Sequence, residues 1–190
     1  MKAPATSSPN HPRLVPPTRI PPLRTLGHDD WVTPPEVFDP VHEALRFNLD
    51  ACASDAQVAR CVRYIPLSHD ALDVRWADYG TRVWCNPPYG RTLPKWFEAV
   101  TQAMQDGLEL CAMLVMANTD TSYWHRYVRG IASEVIFLSP RVRFCRPDGA
   151  LVPSSAPKGS ALVIYDTFAS NQTTHSYWHY LTEPLNRRSP

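Results

Sequence analysis

The sequence predicts a doubly wound α/β domain, with a mostly parallel sheet, helices on both faces and an antiparallel hairpin near its C-terminal end. Three observations carry this. Short β-branched and aromatic runs alternate along the chain with segments of helical spacing. The run "LELCAMLVMAN" is apolar almost throughout, which suits a strand covered on both faces of a parallel sheet. Two later runs, "RVRFC" and "GSALVIYD", are separated by a polar, proline-containing loop, as the strands of a terminal hairpin would be.

In chain order, residues 1–26 hold seven of the twenty prolines. Such a stretch buries too little apolar surface to offset its ordering entropy, so residues 1–27 are expected to form a disordered basic tail. Order is expected from residue 28, in "HDDWVTPPEVFDPVHEAL". Thr33 is placed as an N-cap, Pro34 in the first turn and Glu36 as the partner in a capping box. Val37, Phe38, Val41 and Leu45 then share one face of a helix that Pro40 would strain.

"RFNLDACAS" reads as a short strand ending at Asp50 in a turn of small residues, and "TRVWCN" as the next strand. That strand must stop by Asn86, because Pro87 and Pro88 cannot donate to a ladder. "LPKWFEAVTQAMQDG" has helical spacing, with Trp96 and Phe97 on its core face and Gly107 as its stop. "DTSYWHRYVRG" is a second such helix, with Asn118 or Asp120 either capping it or lining a crevice. "SEVIFLS" is a further strand. The main domain is bounded at 28–168, leaving 169–190 as a C-terminal extension. There His175 and His179, spaced i, i+4, would be half a metal site on a helix or part of an aromatic surface helix. No third ligand lies nearby in sequence, and no metal is expected.

At 190 residues the chain has room for one sizeable core, and its 44% apolar content fits a globular domain. No apolar run reaches the ~18 residues needed to span a bilayer, and the N-terminus has no apolar segment typical of a secretory signal. The five cysteines include no CxxC pair and are expected to be buried free thiols in a reducing cytoplasm. Charge is uneven. Residues 29–124 carry seven basic and fourteen acidic residues, whereas residues 125–160 carry six basic and two acidic. Such a basic segment suits one face meeting a polyanion, unless the clustering is a chance fluctuation.

In open α/β sheets ligands sit outside the carboxyl ends of the strands, where Asp50 and Asn86 both fall. The Asn86 side chain and the Pro87 carbonyl offer two acceptors, and Tyr89 a flat face on which a ring can stack. The set suits an exocyclic amine on an aromatic base. The plainer alternative is a proline-rich turn closing a strand.

"NPPY", residues 86–89, resembles the catalytic motif of S-adenosylmethionine-dependent amino-methyltransferases. The wider series "DDWVTPPEVFD", "FNLDACAS", "RVWCNPPYG", "LVMANTDTSYWH", "RVRF" and "SALVIYD" is similar to the phage-type DNA N6-adenine methyltransferases of the Dam family. That resemblance implies a Rossmann-like class I fold and methyl transfer to adenine N6 in double-stranded DNA, in the cytoplasm of a bacterial or phage-infected host cell. It also implies a target adenine flipped out of the duplex. Asn86, Pro87, Pro88 and Tyr89 would be the catalytic set. Asn86 and the Pro87 carbonyl would accept from N6, Tyr89 would stack on the base, and Cys85 would be a strand residue rather than a nucleophile.

For S-adenosylmethionine, the resemblance implies Trp31, Thr33 and Pro34 at the methionine end. Asp50, Ala51 and Ala53 would form the wrapping loop, which lacks the glycines of the general methyltransferase pattern. Asp70 and Leu72, in "SHDALDVRW", would lie toward the ribose or adenine; a solvated acidic turn is the alternative. DNA would be read by Arg126, Arg129, Arg141, Arg143, Arg146 and Lys158, since no inserted recognition domain fits between Asp50 and Asn86. Two rivals remain at this point. One is an N5-glutamine protein methyltransferase, which would carry a glycine-rich loop and a larger N-terminal domain. The other is a catalytically silent DNA-binding domain, against which the intact NPPY stands.

Overall fold

The structure is a computed structural model that describes residues 31–53, 59–66, 69–169 and 172–186. The expected tail, residues 1–27, and the start of "HDDWVTPP" at 28–30 lie outside the described residues. Helix α1 spans Pro35–Leu45 and buries Val37, Phe38, Val41 and Leu45, the face read from the sequence. Thr33 does not cap it. The Pro34 carbonyl accepts from the amides of Val37 and Phe38, at 3.1 and 3.0 Å, so these first-turn donors already have an acceptor. With Pro35 lacking an N–H of its own, the capping box has little left to do.

Seven strands form one sheet in the order β2-β1-β3-β4-β6-β5-β7. They are β1 (Leu49–Asp50), β2 (Arg63–Tyr64), β3 (Arg82–Cys85), β4 (Leu110–Met116), β5 (Glu134–Ser139), β6 (Ser160–Asp166) and β7 (Thr174–His179). The block β2, β1, β3 and β4 is parallel. Strand β6 runs antiparallel to both its neighbours, and β7 lies parallel to β5.

The expected hairpin between "RVRFC" and "GSALVIYD" does not form. Strand β6 pairs with β4 along one side and with β5 along the other, so neither edge is free for residues 141–145. That segment instead crosses one face of the sheet, with Cys145 bridging Val32 and Leu151. Nor do His175 and His179 lie on a helix. Both belong to β7, where the backbone satisfies its hydrogen bonds by pairing with β5. Among the described residues no group of three or more metal-ligating side chains is found, and no helix is long and apolar enough to cross a membrane.

Strand alternation sorts the core into two layers. Val83, Cys85, Cys111, Met113 and Val163 face one cluster, which includes residues of helices α2 (Leu93–Gln105) and α3 (Ser122–Tyr127). Phe97 of α2 stacks on Tyr123 of α3 at 5.3 Å between ring centres. Trp84, Ala112, Leu114 and Ile164 face the other cluster, built with α1 and the crossing segment. Trp96 and Phe97 are core, as expected, and truncating a buried aromatic of this kind costs about 3–5 kcal/mol. Helix α2 gives way at Gly107, whose φ of 106° favours glycine.

The strand order also places a crevice. From β1 the chain moves outward to β2, then crosses back to lay β3 against the other side of β1. A sheet opens a cleft where the winding direction reverses, outside the carboxyl ends of the two strands. Those ends are Asp50 and Asn86.

Candidate active site

Asp50 lies opposite Trp84 in the β1–β3 register, and the Ala51 amide donates to the Trp84 carbonyl at 3.0 Å. Asn86 follows two residues beyond Trp84, past the end of the ladder. Its amide nitrogen donates to the Trp31 carbonyl at 3.1 Å. A carbonyl can only accept, so this bond fixes which end of the amide is nitrogen. The oxygen, Oδ1, is left as an acceptor, with the Tyr89 hydroxyl reaching it at a long 3.5 Å.

Phe144 ties the aromatic side of the site together. Trp31 stacks on it at 5.4 Å, and Tyr89 meets it edge-on at 6.0 Å. Pro87 is buried and Pro88 half-buried. Burial pushes the Tyr89 phenol well above its usual range, so the hydroxyl stays protonated. Cys85 points to the opposite face, fully buried, with its sulfur 3.3 Å from that of Cys52. Burial raises both thiols, which disfavours the thiolate a nucleophile requires. All five cysteines are free.

The loop after β1 is organised by Asp50. One carboxylate oxygen accepts from the Cys52 amide at 3.0 Å and the other from the Arg60 amide at 2.9 Å. Burial raises its carboxyl above 3.8, opposed by the Arg60 and Cys52 amides and by the Arg60 charge. Ala51 and Ala53 are buried within this loop. The Arg60 guanidinium donates to the Thr33 carbonyl and lies over Phe38, 5.5 Å from its ring centre. Trp31, Thr33 and Pro34 are thereby joined to both strand ends. Two polar atoms here are buried with no partner, Thr33 Oγ1 and Arg60 Nε.

Asp70 and Leu72 stand apart. Asp70 accepts from the Leu72 amide at 3.0 Å, forming a tight acidic turn. Both line a pocket of about 440 Å3 between this turn and α2, along with Trp76, Lys95, Glu98 and Gln102. Within the turn the Trp76 indole donates to the Ala71 carbonyl at 2.7 Å, and Arg75 ties it to the end of α2 by donating to the Asp106 carbonyl at 2.5 Å.

The basic residues divide into two groups. Arg141, Arg143, Arg146 and Lys158 lie between the end of β5 and the start of β6, on the sheet edge that carries Asn86. All four are exposed; Lys158 donates to Asn118 Oδ1 at 2.9 Å and Arg141 to the Pro157 carbonyl at 3.1 Å. Arg126 packs over Tyr127 at 5.3 Å, and Arg129 sits in the turn leading into β5. Both lie on the stretch that carries the chain from the end of β4 to the start of β5, at the opposite edge. Neither Asn118 nor Asp120 caps α3. Asn118 serves Lys158 and the Tyr123 hydroxyl, the latter at 3.1 Å, and Asp120 is exposed.

Sequence reasoning missed Phe144 and Arg60 as members of this site. Phe144 lay in the quoted "RVRF", but read as a strand residue it had no assigned neighbour. Arg60 lies ten residues past Asp50 with no motif around it, and only the folded loop brings it back.

A family model described as DNA N-6-adenine-methyltransferase (Dam) matches residues 23–183. Among curated proteins, the DNA N-6-adenine-methyltransferase of Haemophilus phage HP1 (strain HP1c1) is 25% identical over 140 residues, 73% of this chain and 79% of the relative.

Proposed function

The chain belongs to the DNA N-6-adenine-methyltransferase (Dam) family, and from that premise we propose that it transfers a methyl group from S-adenosylmethionine to adenine N6 in double-stranded DNA. The observation that carries this reading is the Asn86 amide. It stands at the switch point of the sheet, turned by the Trp31 carbonyl so that its oxygen remains an acceptor. An amino group held there donates to Oδ1 and to the Pro87 carbonyl. Both acceptors draw the N6 lone pair out of conjugation with the ring. Positioning of this kind supplies much of the barrier reduction in a two-reactant step.

The adenine has to leave the duplex, because N6 cannot be approached in line while stacked and paired. Tyr89, braced edge-on by Phe144, offers it a new stacking surface. Bound S-adenosylmethionine would supply an electrophilic methyl group on a sulfonium.

The residues around the first strand fit its amino-acid end. Asp50 holds a loop of small residues open to close approach, and Thr33 has a buried hydroxyl awaiting a partner. Trp31 and Pro34 flank that hydroxyl in sequence. Asp70 and Leu72 would take the far end of the molecule, across the turn beside α2. We read the domain as Rossmann-like, on the support of the reversed strand order and the helices on both faces. DNA would lie along the edge bearing Arg141, Arg143, Arg146 and Lys158, where cations can pair with phosphates or with base edges.

The test is incubation of the purified chain with methyl-labelled S-adenosylmethionine and either duplex DNA or a protein extract. Label in N6-methyladenine is the expected result. Label in protein glutamine, or none in either acceptor, would overturn the reading.

A further inference from the structure

We propose that Arg60 binds the carboxylate of the cofactor's amino-acid end, with Thr33 Oγ1 as the second donor of the same cradle. The inference rests on the cofactor reading above and names a residue that reading does not use. Buried polar atoms in folded proteins are almost always hydrogen-bonded, so an orphan needs a physical explanation. Here two orphans lie on residues in direct contact. Thr33 is 2% exposed with its hydroxyl unpaired, and the guanidinium that donates to the Thr33 carbonyl has its own Nε buried and unpaired.

The charge around them is suited to an anion. The Asp50 carboxylate is occupied by the amides of Cys52 and Arg60 rather than by the Arg60 side chain. The guanidinium acts on the Asp50 carboxyl through its charge but forms no ion pair among the described residues, and its central carbon lies 5.5 Å from the Phe38 ring centre. A carboxylate accepts from a planar guanidinium in charge-assisted bonds stronger than those between neutral groups. A threonine hydroxyl beside it supplies one further donor. The amino-acid end of S-adenosylmethionine carries such a group, and the loop bearing Arg60 is the one that begins at Asp50.

Calorimetric titration with two ligands tests the assignment without any turnover. One is S-adenosylmethionine; the other is its decarboxylated form, which differs only in lacking the carboxylate. The native chain should prefer S-adenosylmethionine. Arg60→Met keeps an unbranched apolar side chain at this position, and should weaken S-adenosylmethionine binding about 10- to 100-fold, the range for a hydrogen bond to a charged group. Its affinity for the decarboxylated ligand should not change. Arg60→Lys, which keeps the charge but not Nε, should fall between.

Equal loss for both ligands would make Arg60 a structural residue only, and no loss for either would remove it from the site; each result overturns the proposal. Should Arg60→Met fail to fold by circular dichroism, Thr33→Val reads the same cradle, and unchanged discrimination in that variant overturns it too. A native chain that binds both ligands equally refutes this assignment alone. One that binds neither refutes the cofactor reading along with it.

Discussion

Asn86→Ala removes the acceptor oxygen and leaves β3, which ends at Cys85, intact. Turnover should fall at least ~100-fold, by analogy with lost transition-state acceptors, with a much smaller fall in cofactor affinity and thermal midpoint from the lost bond to the Trp31 carbonyl. A variant with near-native turnover would remove Asn86 from the proposed chemistry. Asp50 acts through the backbone instead. Asp50→Ala strips the acceptor from two amides, each a loss of about 1–3 kcal/mol if left unsatisfied, and should weaken S-adenosylmethionine binding in calorimetry. Unchanged affinity would place the cofactor loop elsewhere.

The pH behaviour of Asp50 has a definite sign. Its folded carboxyl sits above 3.8, so its contribution is full below that value and is lost as pH rises through the raised folded value. Urea denaturation of the native chain and of Asp50→Asn should therefore converge or cross in favour of the variant on going from acid to neutral pH. A gap that moves the other way would contradict the direction of the shift.

At the scale of elements, the loop that presents Asp50 depends on how β1 and β3 are held together at their start. Asn48 Oδ1 accepts from the amides of Thr81 and Arg82, both at 3.1 Å, and Gly80 lies against it. A Cβ on Gly80 would meet that oxygen at 2.6 Å and Leu49 Cβ at 2.8 Å. Neither neighbour can yield without breaking a bond or moving β1. Gly80→Ala should destabilise the fold by about 1–3 kcal/mol, read as a lower urea midpoint, and an unshifted midpoint would show that the strand starts can separate.

Elements with long, strong patterns were legible in the sequence. Helices α1 and α2 and strand β4 could be read from periodicity and continuous apolarity, and the strand ends at Asp50 and Asn86 from the residues around them. Strand β2 is two residues long, too short to carry a pattern. "RVRFC" alternates as a strand would, but whether it pairs depends on which edges of β6 are free, a property of the assembled sheet. In strand β7 two adjacent aromatics part, Tyr177 at 82% exposure and Trp178 buried, so no alternation of apolar and polar residues marked its core face. Of the site, the NPPY and "WVTPP" segments could be seen in advance. Their junction through Asn86 and Trp31, and the return of Arg60 to Thr33, required the fold.

Over the whole molecule, the uneven charge resolves into a placement. Of the six basic residues in 125–160, Arg141, Arg143, Arg146 and Lys158 lie on the edge that carries Asn86, and all four are exposed. Charge reversal at both should weaken DNA binding and flatten its salt dependence, since each phosphate contact contributes a slope of about 0.9. Cofactor affinity should hold. The same reversal at Arg126 and Arg129, on the stretch leading to the other edge, should change DNA affinity much less. Equal effects from the two pairs would contradict the proposed footprint. The central claim is methyl transfer to adenine N6, and mass spectrometry of DNA from cells expressing the chain tests it most directly. The account predicts N6-methyladenine above background with the native sequence and at background with Asn86→Ala; DNA free of the modified base in both cultures, with the protein folded and abundant, would contradict it.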